Sequence, residues 1–279
     1  MPDWIVHLSF ALLICVIFKI KNWKLVLIGS VLPDFSRIFL IILNFLGFDE
    51  IKSFLILEPF HTPFINLLMS ISIALLFNNF WKNLLLVYLG VITHYLLDIF
   101  QFAGAYGHMI FYPLSFKEYS ANLFYAGNII FPIIGLIILA GSLYFIKEKN
   151  YLKLSKTHYL SILPLIMAVL FVLSTHNNLL NANIEGVNFV SFPENYENQE
   201  VYLYNSDIVS INPLQLEEFG KIFLLETKEN IKLNSIVSVH GIYKNNKIIV
   251  DSIFFHNLNK HIFSLIGLII LVFILLGKN

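Results

Sequence analysis

Charge is what this sequence has least of. Only 13% of its 279 residues are Asp, Glu, Lys or Arg, against 57% hydrophobic and 15% aromatic. Soluble domains average about 25% charged residues, so a chain this poor in charge struggles to cover a water-facing surface. Acids and bases cancel to a formal net charge of zero, which removes any global attraction to nucleic acid or anionic partners. Cysteine occurs once, as Cys15 inside an apolar run. That excludes a disulfide framework and a cysteine-ligated metal. His-Glu-x-x-His, Gly-x-Ser-x-Gly and a Gly-rich phosphate loop are missing as well, which argues against a zincin-type protease, a serine hydrolase of the nucleophile-elbow type and a phosphate-loop enzyme. Chemistry is left to His, Asp, Glu and Lys.

What the chain has is long apolar runs. Stretches of about 17 to 25 apolar residues can cross a bilayer core as helices. They occur at Asp3–Lys19, Lys24–Gly47, Phe64–Phe80, Asn83–Phe102, Tyr125–Ile146, His158–Ser174 and His261–Gly277. The expected fold is an α-helical polytopic membrane protein with about six or seven spanning helices. The second run contains Pro33 and reads as a broken helix, and Glu50–Pro59 is too short to span. The first run has no basic residue before it and lysines Lys19, Lys21 and Lys24 after it, so it reads as an uncleaved anchor rather than a signal peptide. Trp4, Trp81 and the tyrosines near run ends read as interfacial anchors. With the N-terminus outside and strict alternation, Lys19, Lys21, Lys24, Lys82, Lys147, Lys149, Lys153, Lys156 and Lys278 fall inside, and only Lys52 and Lys117 fall in short outer loops. The positive-inside rule then gives a multi-pass cell-membrane protein, N-terminus out and C-terminus in.

Three regions result: a helical membrane domain over 1–174, a small extracytoplasmic β domain over 175–260, and a last helix over 261–279. In the middle region the pattern shortens to strand-like alternation. Val201–Tyr204 and Ile208–Ile211 form one candidate strand pair, and Ile222–Leu225 another strand. Ile236–Tyr243, Lys244-Asn245-Asn246-Lys247 and the following Ile248-Ile249-Val250 read as a β-hairpin, because Asn tolerates the positive φ of a tight turn. An OB-like barrel or a sandwich is expected. The domain lacks a basic stripe, so nucleic acid is not its partner.

Polar residues inside apolar helices are expensive and usually face a bundle interior or a cavity. His7, Asp34, His61, His94 and Asp98 are such residues, from four separate segments. His94 and Asp98 stand at i and i+4 on one helix face, with Gln101 extending the stripe. That spacing serves a structural His–Asp hydrogen bond as well as a metal site. Asp34 has Arg37 at i+3 as a local ion partner. Alternation places all five residues in the outer half of the bundle. Three His and two Asp suit Zn²⁺, with Mn or Fe as alternatives, because imidazole favours later transition metals. Zinc with three protein ligands activates a water, and a remaining Asp or His is then the general base, with Asp34 and Asp98 the catalytic candidates. His108 in the outer loop can reach the same place. His158, His176, His240, His256 and His261 read as interfacial, surface or structural.

Five short elements in order, Val6-His7-Leu8-Ser9-Phe10, Leu32-Pro33-Asp34, Phe60-His61-Thr62, Gly90-Val91-Ile92-Thr93-His94-Tyr95-Leu96-Leu97-Asp98 with Gly104 and Gly107, and Tyr112-Pro113-Leu114-Ser115, carry a resemblance. Residues 6–115 look like the YdjM-like (LexA-regulated) family of membrane-bound metal-dependent hydrolases. In that family the Pro-Asp usually continues to a second carboxylate or His, whereas this chain reads Asp34-Phe35-Ser36-Arg37. The family's additional His before the Thr-His element is replaced here by Leu57-Glu58, and Glu58 is the candidate substitute. The resemblance implies hydrolase chemistry. A site in the outer half of a bilayer is reached most easily by a lipid or lipid-linked ester or phosphoester. The competing readings are a non-enzymatic membrane protein whose β domain binds an envelope partner, and a transporter, which the lack of an internal repeat disfavours.

Overall fold

The computed structural model describes residues 3–102, 107–125, 128–146, 153–180, 184–256 and 260–276. The expectations placed on Gly104, Lys147, Lys149, Lys278 and the side chain of His261 lie outside the described residues.

Helix α1 (Trp4–Ile17) starts on a side-chain cap: the Asp3 carboxylate accepts from the backbone N–H of Ile5 and Val6 at 2.9 and 3.2 Å, satisfying two of the amides a helix start leaves unpaired. Helices α2 (Trp23–Val31) and α3 (Phe35–Phe45) are the two halves expected around Pro33, which has no N–H to continue the ladder. Helix α4 (Glu50–Leu57) runs into a 3-10 turn, Glu58–His61, and then meets α5 (Pro63–Leu76) at a 64° bend. Proline at the first position of α5 suits a helix start. Helices α6 (Phe80–Phe100), α7 (Ile130–Phe145) and α8 (Ile162–Leu180) follow. A short α9 (Glu185–Ser191) precedes the strands, and α10 (Lys260–Leu276) comes after them.

The expected six or seven spanning helices do not form. Among the described residues, three are long and apolar enough to cross a membrane: Trp23–Phe45, Phe80–Phe100 and His158–Leu179. A fourth joins them only if the bent pair Glu50–His61 and Pro63–Leu76 counts as one span. Helices α1, α7 and α10 have 14, 16 and 17 residues, which at about 1.5 Å per residue reach only ~21–26 Å against a hydrocarbon core of about 30 Å. The apolar runs overcount because they include residues at their ends that lie outside the helices. The run Asp3–Lys19, for example, is helical only over Trp4–Ile17. Strict alternation through seven crossings therefore has no footing. Membrane association itself fits the surface: α3, α7 and α8 expose Phe39, Ile42, Phe45, Ile133, Ile137, Met167 and Leu170, far more apolar area than a soluble surface carries.

Backbone contact sets the spacing of the central pair, α2 and α6. A Cβ added to Gly90 would lie 2.0 Å from the Val26 carbonyl oxygen, and one added to Gly29 would lie 1.9 Å from that of Val87. Only glycine lets two helix backbones approach this closely. Around that crossing, α1, α7 and α10 share a core through Leu8, Leu12, Leu139 and Leu271.

Five strands follow: β1 (Glu200–Ile211), β2 (Leu214–Glu218), β3 (Lys221–Glu226), β4 (Ile236–Lys244) and β5 (Lys247–Phe255). They close as β1-β2-β3-β5-β4, with β3 and β5 parallel and the other pairs antiparallel. The result is a barrel and not a sandwich. The β4–β5 hairpin forms as expected, with Lys244 opposite Lys247 and Asn245 and Asn246 at φ 52° and 58°. The proposed pairing of Val201–Tyr204 with Ile208–Ile211 is a correction: both lie on β1. Asn205, at φ 63°, bends that strand without ending it, and the register shifts between Leu203 and Ser206. One half of β1 can then pair with β4 and the other with β2, which closes the barrel.

Barrel and bundle touch at one end. Gln101 Nε2 donates to Tyr204 Oη at 2.6 Å, Tyr125 stacks on Phe254 at 4.0 Å, and Phe54 meets Phe219 at 5.5 Å. At the other end Lys24 Nζ donates to the Leu275 carbonyl at 3.2 Å, and Asn78 N–H donates to the Lys153 carbonyl at 3.1 Å.

Candidate metal centre

All five residues singled out in the sequence converge. The α2–α3 break delivers Asp34, the 3-10 turn delivers His61, α6 delivers His94 and Asp98, and α1 delivers His7. Each is at most 4% exposed. Apart from Asp34, which heads α3, each sits on the inward stripe of its own element, so the helical periods alone bring them face to face.

The distances are tight. Nε2 of His94 lies 3.0 Å from Asp98 Oδ2, 3.1 Å from His61 Nε2 and 3.9 Å from Asp34 Oδ1. Nε2 of His61 lies 3.2 Å from Asp98 Oδ2 and 3.5 Å from Asp34 Oδ1. His7 adds its Nε2 at 3.5 Å from Asp98 Oδ1, and its ring stacks on His94 at 3.9 Å. Donor atoms about 2.0–2.1 Å from one tetrahedral zinc stand about 3.3 Å apart. The observed separations bracket that value.

Proton placement sharpens the picture. His94 Nδ1 is 2.8 Å from the Ser30 carbonyl. A carbonyl only accepts, so Nδ1 carries a proton and Nε2 is the ring nitrogen turned inward. Asp34 is oriented from its other side, where Trp4 Nε1 donates to Oδ2 at 3.1 Å. The inward atoms have no hydrogen bond of normal geometry: Asp34 Oδ1, both oxygens of Asp98 and both ring nitrogens of His7 are buried without one. Lone pairs and two carboxylates packed this closely need positive charge among them, from a bound cation or from protonated imidazole. Three groups of these side chains can hold a metal ion: His7, His94 and Asp98; Asp34, His61 and His94; and His61, Asp98 and His108.

His108 completes the set. It lies in the described segment after Gly107, where its backbone pairs with Tyr119, and its ring sits 5.2 Å from that of His61. Burial pushes its imidazole down to about 3, so it is neutral at physiological pH. A histidine in a loop signals less than one inside an apolar helix, and the sequence marks His108 only as able to reach this place. Trp4 and Ser30 carry no such mark. Trp4 is a correction, since it is 4% exposed and bonded to Asp34 rather than anchored at an interface, whereas Trp81 is 74% exposed. Arg37 is another: its partner is Glu58 at 3.0 Å and not Asp34, so Glu58 is engaged in that pair. Of the remaining histidines, His158 sits on an exposed turn, His240 pairs with Glu200 at 3.7 Å, and His256 bonds to Ser238 at 2.7 Å.

The fold and the site together define a helical bundle, with helices able to cross a membrane, that encloses a buried His/Asp centre beneath a five-stranded barrel. No family model, curated protein or solved structure matches the chain.

Proposed function

We propose that the protein is a membrane-bound, metal-dependent hydrolase of a lipid or lipid-linked ester or phosphoester. The observation that carries this reading is the convergence of His and Asp donor atoms at 3.0–3.9 Å, with no hydrogen bond to the inward oxygens. The residues fit zinc best, since three or four imidazoles outnumber the carboxylates. Mn and Fe are the alternatives. A metal held there supplies Lewis acidity and a water activated near neutral pH.

The chain's own residues do the rest. Asp98, with three imidazole nitrogens at 3.0, 3.2 and 3.5 Å, would be the central ligand of such an ion. Asp34, held at one oxygen by Trp4 and open at the other, is placed to take the proton of the attacking water. Burial of all five side chains excludes bulk water and strengthens each electrostatic contact. The motif order Val6-His7, Leu32-Pro33-Asp34, Phe60-His61-Thr62, Gly90 to Asp98 and Tyr112-Pro113 supports membership of the YdjM-like hydrolases.

Orientation is part of the proposal. Lys19, Lys21, Lys24, Lys82, Lys153 and Lys156 lie in or beside the segments that meet at the end remote from the barrel. The positive-inside rule makes that end cytoplasmic and puts the barrel, with the end of the bundle that carries the centre, outside, whatever the number of spans.

The test is metal content. Protein purified in detergent is expected to carry about one zinc per chain by elemental analysis, and His94→Ala is expected to lose it while keeping its helical circular dichroism. Wild-type protein that binds no transition metal, or a His94→Ala variant that keeps it, would end the hydrolase reading and leave protonated histidines as the source of positive charge.

A further inference from the structure

Seventeen of the eighteen basic residues are lysines, and the one arginine, Arg37, stands next to the centre. Two rungs connect α3 to the 3-10 turn. Asp34 and Arg37 are three residues apart at the head of α3, and the Arg37 N–H donates to the Asp34 carbonyl at 3.0 Å. Glu58 and His61 are three apart in a 3-10 turn, where side chains at i and i+3 align. The inner rung is Asp34–His61 at 3.5 Å, and the outer is Arg37–Glu58 at 3.0 Å. The guanidinium therefore lies about one turn, ~5 Å, outside the cluster. It is 26% exposed, whereas Glu58 is 3% exposed.

A cation in an apolar helix is costly and usually functional. Glu58 balances the charge of Arg37 through Nη2 alone, at 3.0 Å from Oε2, and Arg37 Nε makes no hydrogen bond. Phe54 lies beneath the guanidinium, with Arg37 Cζ 5.5 Å from its ring centre. A planar fork with donors to spare, held at the rim of a metal centre, is the group that binds tetrahedral oxyanions in a bidentate manner. Beyond it α3 exposes Phe39, Ile42 and Phe45, an apolar track along which acyl chains can lie.

Building on the metal-centre reading, we infer that Arg37 binds the phosphoryl oxygens of the substrate and that the substrate is a phosphoester. Phe54 packs against it and Glu58 balances its charge.

The test is a calorimetric titration with two ligands, inorganic phosphate and dihexanoyl phosphatidic acid, on zinc-loaded and metal-free protein in detergent. Arg37→Met is expected to weaken both by about 10- to 100-fold, the range of a hydrogen bond to a charged group, with zinc content unchanged. Glu58→Gln leaves the guanidinium in place and is expected to bind at least as tightly as the wild type. Tighter binding of the phosphatidic acid assigns a lipid phosphate, and equal binding assigns free phosphate as the recognised unit. The inference is overturned if the wild type binds neither ligand, if Arg37→Met binds like the wild type, or if Glu58→Gln loses as much affinity as Arg37→Met. Should Arg37→Met not fold, the double variant Arg37→Met/Glu58→Met removes the pair together and is read in the same way. If wild-type protein carries no zinc, the metal reading fails alone, because the Arg37 dependence is still measured on metal-free protein.

Discussion

Five of the residues at the centre could be read from the sequence because polar groups stand out against an apolar background. His7, Asp34, His94 and Asp98 interrupt hydrophobic helices, and His61 stands at the head of one. His108 does not stand out, since its neighbours are loop residues, and the Ser30 carbonyl has no sequence signature at all. Trp4 carries an ambiguous one: tryptophan near a run end fits an interface and equally a buried N–H donor. Its role is testable. Trp4→Phe removes only the N–H on Asp34 Oδ2, and loss of such a supporting bond lowers metal affinity about 10- to 100-fold. A zinc-chelator competition titration would measure this, with near-wild-type unfolding temperature as the control. His108 gives a pH prediction. Its imidazole is depressed from 6.5 to about 3 in the fold, so between those values the unfolded chain binds a proton that the folded chain does not. Stability contributed by neutral His108 is complete above pH 6.5 and is lost as pH falls towards 3. Metal-free protein should unfold at lower temperature through that window, and His108→Asn should flatten the profile.

Elements were legible where a local rule fixes them. Pro33 broke the second helix, and Asn245-Asn246 turned the hairpin, both for backbone reasons visible in the residues themselves. Helix lengths were not legible, because an apolar run has no internal mark for where hydrogen bonding stops. The single bent strand β1 was missed because Asn205 with its polar neighbours has the composition of a turn, and only pairing partners on both sides keep the strand going. The α2–α6 crossing sits between these cases. Gly90 was noted as part of a motif, but its steric purpose needs the partner helix. Gly90→Ala would set a methyl 2.0 Å from the Val26 carbonyl oxygen and 2.7 Å from the Ser30 nitrogen. Since the obstacle is backbone, the helices must separate. The expected cost is about 3 kcal/mol or more, read as a lowered unfolding temperature together with lost zinc. Asn246→Val, by contrast, should cost about 1–2 kcal/mol for an unsuited left-handed residue and leave zinc untouched.

At the scale of the whole molecule, bundle and barrel are joined by Gln101 and Tyr204 next to Asp98, so the two parts meet over the centre rather than at a distant linker. The proposed orientation predicts which parts face outward. Cysteine introduced at Asn246, at the tip of the barrel hairpin, should react with a membrane-impermeant maleimide in intact cells. Cysteine at Lys21 should react only after lysis, and native Cys15, which is buried, serves as the background control. The opposite labelling pattern would reverse the topology and move the barrel and the centre beneath it to the cytoplasmic side.

The break at Pro33 reaches further than the helix it interrupts. In an unbroken helix the Ser30 carbonyl would receive the amide of residue 34, but here that amide bonds to Val31 at 3.2 Å. Ser30 is thereby released to hold a histidine on a neighbouring helix. A break in one helix thus dictates the tautomer on another. Pro33→Ala, which mends the ladder and would ordinarily be expected to stabilise a helix, should recapture that carbonyl, free the His94 ring to exchange its proton between nitrogens, and weaken zinc binding in a better-formed helix.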